Sequence, residues 1–247
     1  MVTDMDVVRL WRRLDLPGHE IARLARRDHG WELSGTALFT DGREPCRLDY
    51  AVACDAGWHT RSAVVNGLIG PRAVSVRVEV EEGRWRADDE EQPAVAGCID
   101  IDLGFSPSTN LLPLRRLSLA VGAHADVRAA WLPFPSLVLQ PLDQVYRRED
   151  THSYRYQSRG GRFERLLRID AEGFVVSYPG IWEAEPAAPA RAQPAGLAVR
   201  GDAARAALIA AAVSAYEDAS MRGLCADGAW EAAVSAMRTL SLDDLPG

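Results

Sequence analysis

A chain of 247 residues with a formal net charge of −7, 47% hydrophobic and 26% charged residues, has an ordinary globular composition and room for one large domain or a domain with an appendage. All 28 basic residues are arginine, and they alternate with Asp and Glu instead of forming the basic stripe that neutralises phosphates, which argues against a nucleic-acid partner. No run of about 18 apolar residues offers a transmembrane segment, and the N-terminal MVTDMDVVRLWRRLDLPG carries acids and arginines where an export signal needs an apolar stretch, so the expectation is a cytoplasmic protein.

From about Trp11 to Tyr178 the dominant period is two, the signature of half-buried strands. Strands are expected at Trp31–Phe39, Cys46–Asp55, Ala73–Val80, Arg84–Asp88, Leu114–Gly122, Ser136–Arg148 and Glu164–Asp170, and the Arg-rich Tyr154–Arg168 segment reads as the outer face of two strands, the second overlapping the last of these. Turn signals separate them: RDHG before Trp31, and Gly-bearing pairs or triplets ending at Gly42, Gly83, Gly161 and Gly173. This spacing describes a mainly β, antiparallel meander and leaves no room for βαβ units. About a dozen twisted strands cannot stay flat, so an open, unclosed β-barrel with a ligand-holding concavity is expected.

Composition changes at Glu183. Residues 184–199 are Pro/Ala-rich and read as a semi-stiff linker between a β domain over 1–183 and a tail over 200–247. The tail reads as a helical hairpin, with Asp202 as N-cap, Gly223 as the residue past the first helix, and Trp230, Ala233, Val234, Met237 and Leu240 on one apolar seam. Such a hairpin is too small to fold well alone and is expected to dock on a partner or on the β body. The four cysteines (Cys46, Cys54, Cys98, Cys225) lack metal-finger or redox spacing and read as buried thiols; no cofactor or metal is expected.

Three stretches carry polar groups among apolar ones. In GCIDIDLGFSPSTNLLPLRRL (Gly97–Leu117), strand alternation puts Asp100 and Asp102 on one side and Ile99, Ile101 and Leu103 on the other. Asn110 falls in a turn, and Arg115 and Arg116 point to opposite sides of a restarted strand. The carboxylates could accept hydrogen bonds from sugar hydroxyls, pair with an arginine to tie two strands, or serve as an acid/base pair; a guanidinium there could take an anionic head group. In CDAGWHTRS (Cys54–Ser62), Trp58 with Arg61 would stack on a sugar and bind its hydroxyls, or close a barrel end. The remaining histidines, His19, His29, His124 and His152, read as solvent-facing. In RAAWLPFPSL (Arg128–Leu137) with YPGIW (Tyr178–Trp182), Trp131 and Phe134 suit a cavity mouth or a plug equally.

Five stretches resemble, in order, a bacterial family described as "putative glycolipid-binding", a domain formerly of unknown function. They are WRRLDLPGHEIARL (Trp11–Leu24), CRLDYAVACDAGWHTRSAVV (Cys46–Val65), Gly97–Leu117, AWLPFPSL (Ala130–Leu137) and GFVVSYPGIWE (Gly173–Glu183). The resemblance implies an unclosed antiparallel barrel, similar to lipoprotein carriers, that holds an amphipathic, glycolipid-like small molecule without catalysis. Two other classes remain open: an enzyme acting on a sugar- or lipid-like substrate in the same cavity, and an interaction protein working through its C-terminal helices.

Overall fold

The computed structural model describes residues 7–186 and 195–239. The chain divides into two compact units, Met1–Pro186 and Ala187–Gly247. The first holds a single sheet of fifteen strands. Eight form an N-terminal meander: β1 (Val7–Arg13), β2 (Gly18–Arg27), β3 (Gly30–Asp41), β4 (Glu44–Asp55), β5 (Thr60–Ile69), β6 (Arg72–Glu81), β7 (Arg84–Ala87) and β8 (Glu90–Glu91). Seven follow: β9 (Ile101–Leu103), β10 (His124–Leu132), β11 (Gln140–Arg148), β12 (Ser153–Ser158), β13 (Phe163–Ile169), β14 (Val175–Tyr178) and β15 (Trp182–Ala184). In space the order runs β8 through β1, then β15 through β9, so the first and last strands meet in the middle and β8 and β9 are the free edges.

The period-two reading holds where strands are long. In β4, Cys46, Leu48, Tyr50, Val52 and Cys54 point inward, and Val76, Val78 and Val80 do the same in β6. The sheet stays unclosed, yet its opening is bridged. Ile99 accepts a hydrogen bond from the Thr60 amide (3.1 Å), the Thr60 hydroxyl accepts one from the Ile101 amide (3.1 Å), and the Trp85 indole donates to the Cys98 carbonyl (3.0 Å).

Three sequence expectations need correction here. Leu114–Gly122 is not a strand: Leu111–Leu117 forms a short helix, α1, entered through a 3-10 turn at Ser108–Asn110. Leu111, Leu112 and Leu114 recur at helical spacing, and all three are buried. Because α1 joins β9 to β10, that pair is parallel, a crossover unit that strand spacing had excluded. The strand expected over Ser136–Arg148 starts only at Gln140.

The third correction concerns the hollow. Helix α1 sits between two apolar clusters. Leu111 and Leu112 pack with residues of β1–β7, β9 and β10, whereas Leu114 joins Val127, Tyr146, Tyr154, Tyr156, Leu167 and Val175 of β10–β14. The inner side of the sheet is therefore occupied by the chain's own helix, with a pocket at each of its ends.

Two buried polar contacts hold the α1 region in place. Asp100, 1% exposed, accepts from Arg116 Nε (3.0 Å) and Nη2 (2.5 Å). Burial raises the Asp100 carboxyl and the guanidinium opposes that rise. Glu20, on the inner face of β2 with Ala22 and Leu24, accepts from the Tyr50 and Ser106 hydroxyls, both at 2.6 Å. Ser108 completes this network at 2.7 Å from both hydroxyls. Gly35 makes room for it, since a Cβ there would lie 2.5 Å from the Tyr50 hydroxyl.

The second unit is described by α2 (Ala195–Met221) and α3 (Ala226–Thr239), with Gly223 at φ 86° past the end of α2. Helix α2 runs through Asp202 and takes in residues 195–199, read above as linker; residues 187–194 and Leu240 lie outside the described residues. Ala219, Ala229 and Ala233 are buried, whereas Trp230 is 62% exposed and does not lie in the seam. Small residues let the helices approach, and the large ring is turned out. Cys225 is likewise exposed, while Cys46, Cys54 and Cys98 are buried.

Two outcomes are expected. Arg116→Ala leaves the Asp100 carboxylate buried and unpaired, and should cost stability toward the lower end of about 3–5 kcal/mol. Urea unfolding measures this, and a loss within error would show that the pair does not anchor α1. Burial lifts the Glu20 carboxyl from 4.5 to about 8, so the folded state keeps a proton that the unfolded state releases. The stabilisation is complete below about 4.5 and lost as pH climbs through about 8. Glu20→Gln should flatten the urea midpoint across that window, and an unchanged slope would contradict it.

Candidate functional site

Two pockets flank α1, one at each end. The first, about 230 Å³, lies at the N-terminal end. Its polar groups come from β9 and the helix entry. Asp102 Oδ2 accepts from Gln144 Nε2 at 2.6 Å, and the same amide lies 3.1 Å from the Tyr156 hydroxyl. The Asn110 side-chain oxygen accepts from the Tyr146 hydroxyl at 2.9 Å, while its nitrogen donates to the Pro107 carbonyl. Ser106 also lines this pocket, so the Glu20 network stands one hydrogen bond behind the wall. Burial pushes the Asp102 carboxyl up to about 6 against the pull of Gln144, and Asp100 adds to the rise.

The rest of the lining is largely aromatic. Tyr156, Phe163 and Tyr178 form a mutual trio with ring centroids 6.0–6.2 Å apart, and Trp131 and Trp182 complete the lining. Gly104 is required for this: a Cβ there would lie 2.7 Å from the Trp131 indole nitrogen. Arg159 lies over the Trp131 ring at 5.4 Å. Rings lining the same pocket as a carboxylate and an amide suit a ligand with both C–H and hydroxyl surface.

The second pocket, about 260 Å³, opens at the other end of α1. Trp58 and Arg115 meet there, with the guanidinium 5.5 Å from the ring. Trp58 has φ 69°, a left-handed conformation uncommon for a bulky residue. Asp55 explains it. Its carboxylate accepts from the Gly57 and His59 amides (2.8 and 3.0 Å) and from Arg61 (2.7 Å), closing the turn so that Trp58 stacks on Trp31 at 4.6 Å.

The eight residues singled out from sequence thus separate. Asp102, Asn110 and Trp131 gather at the first pocket, joined by Trp182 of the YPGIW stretch. Trp58 and Arg115 gather at the second. Asp100 is spent on Arg116, Arg61 on Asp55, and Phe134 packs edge-on against Phe39 at 4.9 Å. The expectation that Arg115 and Arg116 face opposite sides of a strand is replaced by a helical arrangement in which neighbouring residues diverge toward Trp58 and Asp100. His19, His29, His59, His124 and His152 are exposed. Among the described residues no three His, Cys, Asp or Glu side chains are grouped as a metal site needs, and no helix is long and apolar enough to cross a membrane.

Sequence reasoning missed Glu20, Gln144, Tyr156 and Phe163 as site residues, while Tyr178 opens the YPGIW stretch that it did single out. Alternation in HEIARL would have placed Glu20 inward beside Ala22 and Leu24. The aromatic trio spans three strands, and nothing in a linear pattern announces that they meet. Of the Tyr154–Arg168 arginines, Arg155, Arg162 and Arg168 lie outward as alternation predicts, with Arg155 bridging Glu149 and Glu164 at 2.7 Å each, whereas Arg165 shares the inner face with Phe163 and Arg159 lines the first pocket.

No curated protein matches the chain. Among solved structures, the crystal structure of a DUF1089 family protein from Pseudomonas aeruginosa is similar, with 34% identity and a TM-score of 0.60. The match covers 66% of this chain and 91% of that one. The model of the family described as "Putative glycolipid-binding" matches residues 8–184, from the second residue of β1 to the last residue of β15. The chain belongs to that family.

Proposed function

We propose that the β unit binds a sugar-bearing amphiphile and seats its sugar ring in the pocket beside Asp102. The family description supports the ligand class. The observation that carries the reading is the meeting of Asp102 and Asn110 with an aromatic wall at one small pocket. Sugar rings offer C–H faces to aromatics and hydroxyls to carboxylates and amides, and this pocket offers both partners at once. At about 230 Å³ it lies below the roughly 300–1,000 Å³ of common small-molecule sites. It takes one ring-sized group, and the aliphatic chain of an amphiphile stays outside it.

Binding is favoured over hydrolysis by the carboxylates. Glycosidases set two carboxyl groups on opposite sides of the scissile bond. Asp102 is the one acidic residue lining this pocket, Asp100 is occupied by Arg116, and Glu20 stands behind Ser106.

Titrating octyl glucoside below its micelle concentration, with tryptophan fluorescence as readout, tests the proposal. Saturable binding is expected, weakened at least tenfold by Trp131→Ala and several-fold by Asp102→Asn. Binding insensitive to both substitutions, or no saturable binding of any alkyl glycoside tried, would overturn it.

A further inference from the structure

We propose that the pocket at the C-terminal end of α1 is a separate binding site for a tetrahedral oxyanion, phosphate or sulfate, free or esterified. It is independent of the sugar pocket. The two lie at opposite ends of the same helical segment, Asn110 and Ser118, separated by roughly 12 Å of helix rise.

Two guanidiniums line this pocket, and neither has a carboxylate partner among the described residues. Arg148 hydrogen-bonds to main-chain carbonyls, with Nε donating to Asp150 (3.1 Å), Nη1 to Leu119 (2.7 Å) and Nη2 to Thr151 (3.3 Å), and its guanidinium lies over the Tyr154 ring at 5.7 Å. Three of its five N–H groups are used, which leaves two donors and an uncompensated charge in a fixed orientation. Among the described residues Arg115 makes no hydrogen bond or ion pair, and its buried Nε has no partner there. Its guanidinium rests on Trp58, whose position the Asp55 turn and the Trp31 ring hold. Gly173, at φ 89°, backs the same side chain; a Cβ there would press to 3.4 Å from Arg115 Nε.

The carboxylates nearby are committed elsewhere. Asp170 lines the pocket, but its Oδ2 accepts from Arg9 (2.6 Å) and its Oδ1 from the Phe174 amide (2.9 Å). Asp150 Oδ1 accepts from the His152 amide at 2.6 Å. The C-terminal carbonyls of α1 add partial negative charge, yet the Leu114 carbonyl is capped by the Ser118 amide, and the Leu119 carbonyl, two residues past the helix, is taken by Arg148 itself. Two fixed, unpaired guanidiniums around about 260 Å³ match the size and charge of an oxyanion, and guanidinium donors suit its geometry. The Ser118 hydroxyl and the His152 ring at the same pocket supply further polar groups.

The full chain titrated with inorganic phosphate and with sulfate, followed by calorimetry and by arginine Nε–Hε NMR resonances, tests the assignment. Saturable binding should shift the Arg115 and Arg148 resonances. Arg115→Gln, which breaks no hydrogen bond, should weaken binding at least tenfold, while Arg72→Gln on distant β6 leaves it unchanged. Because Arg148 pins its loop, Arg148→Gln is read only with an unchanged melting temperature. Sedimentation with phosphatidylcholine vesicles, with and without phosphatidylglycerol, separates the sources. Capture by the anionic vesicles that phosphate competes away supports a lipid head group, and phosphate binding without vesicle capture supports a free oxyanion. No binding at tens of millimolar phosphate, or binding and capture indifferent to Arg115→Gln, overturns the proposal.

Discussion

The bidentate contact between Arg116 and Asp100 decides how the inner side of this unclosed sheet is filled. A curved sheet of fifteen strands has more interior than its own inward side chains fill, and the excess goes to α1. A seven-residue helix has little stability of its own. It persists here because Leu111, Leu112 and Leu114 are buried on two clusters and because one guanidinium locks its last turn to the edge strand. Charge pairs of this sort are weak arguments for net stability but strong constraints on register, since either partner left alone in the interior is costly. The register in turn sets both pockets: it places Asn110 at one mouth and Arg115 at the other.

The filled interior also sorts the polar residues by task. Glu20, Tyr50, Ser106 and Ser108 bond one another out of reach of solvent through one carboxyl oxygen of Glu20, its other oxygen being buried without a partner, and Asp100 is consumed by Arg116. What remains facing the pockets is a small set, Asp102 and Asn110 on one side and the two unpaired arginines on the other. An interior that had stayed hollow would have exposed all of these groups to a large ligand. The helix leaves two separate pockets, one at each of its ends.

Much of the fold was legible because long strands advertise themselves. The inward set of β4 and the glycine-bearing turns are read directly from alternation. Strands β1, β2, β5 and β10 were harder, since arginines and alanines blur their pattern, and β14 and β15 are too short for a period to show. The helix was misread for a physical reason. In LLPLRRL the apolar positions fit either period over so short a span, and Pro113 is tolerated early in a helix where no amide bond is lost. That one error moved Arg115 and Arg116 onto a strand and left the hollow unfilled. The candidate residues were partly legible: Asp102, Asn110 and Trp131 do converge, but through pairings across β9, β10 and the helix entry that local spacing does not encode.

The strand order places β1 beside β15, with Trp11 opposite Ala184 and Glu185 continuing the ladder to Leu10. Both chain ends of this unit therefore leave from its midline, side by side and at the same end, with β8 and β9 left to form the periphery. Extra sequence can be hung on either end without disturbing a rim, whereas trimming even the three residues of β15 would unzip the sheet along its centre.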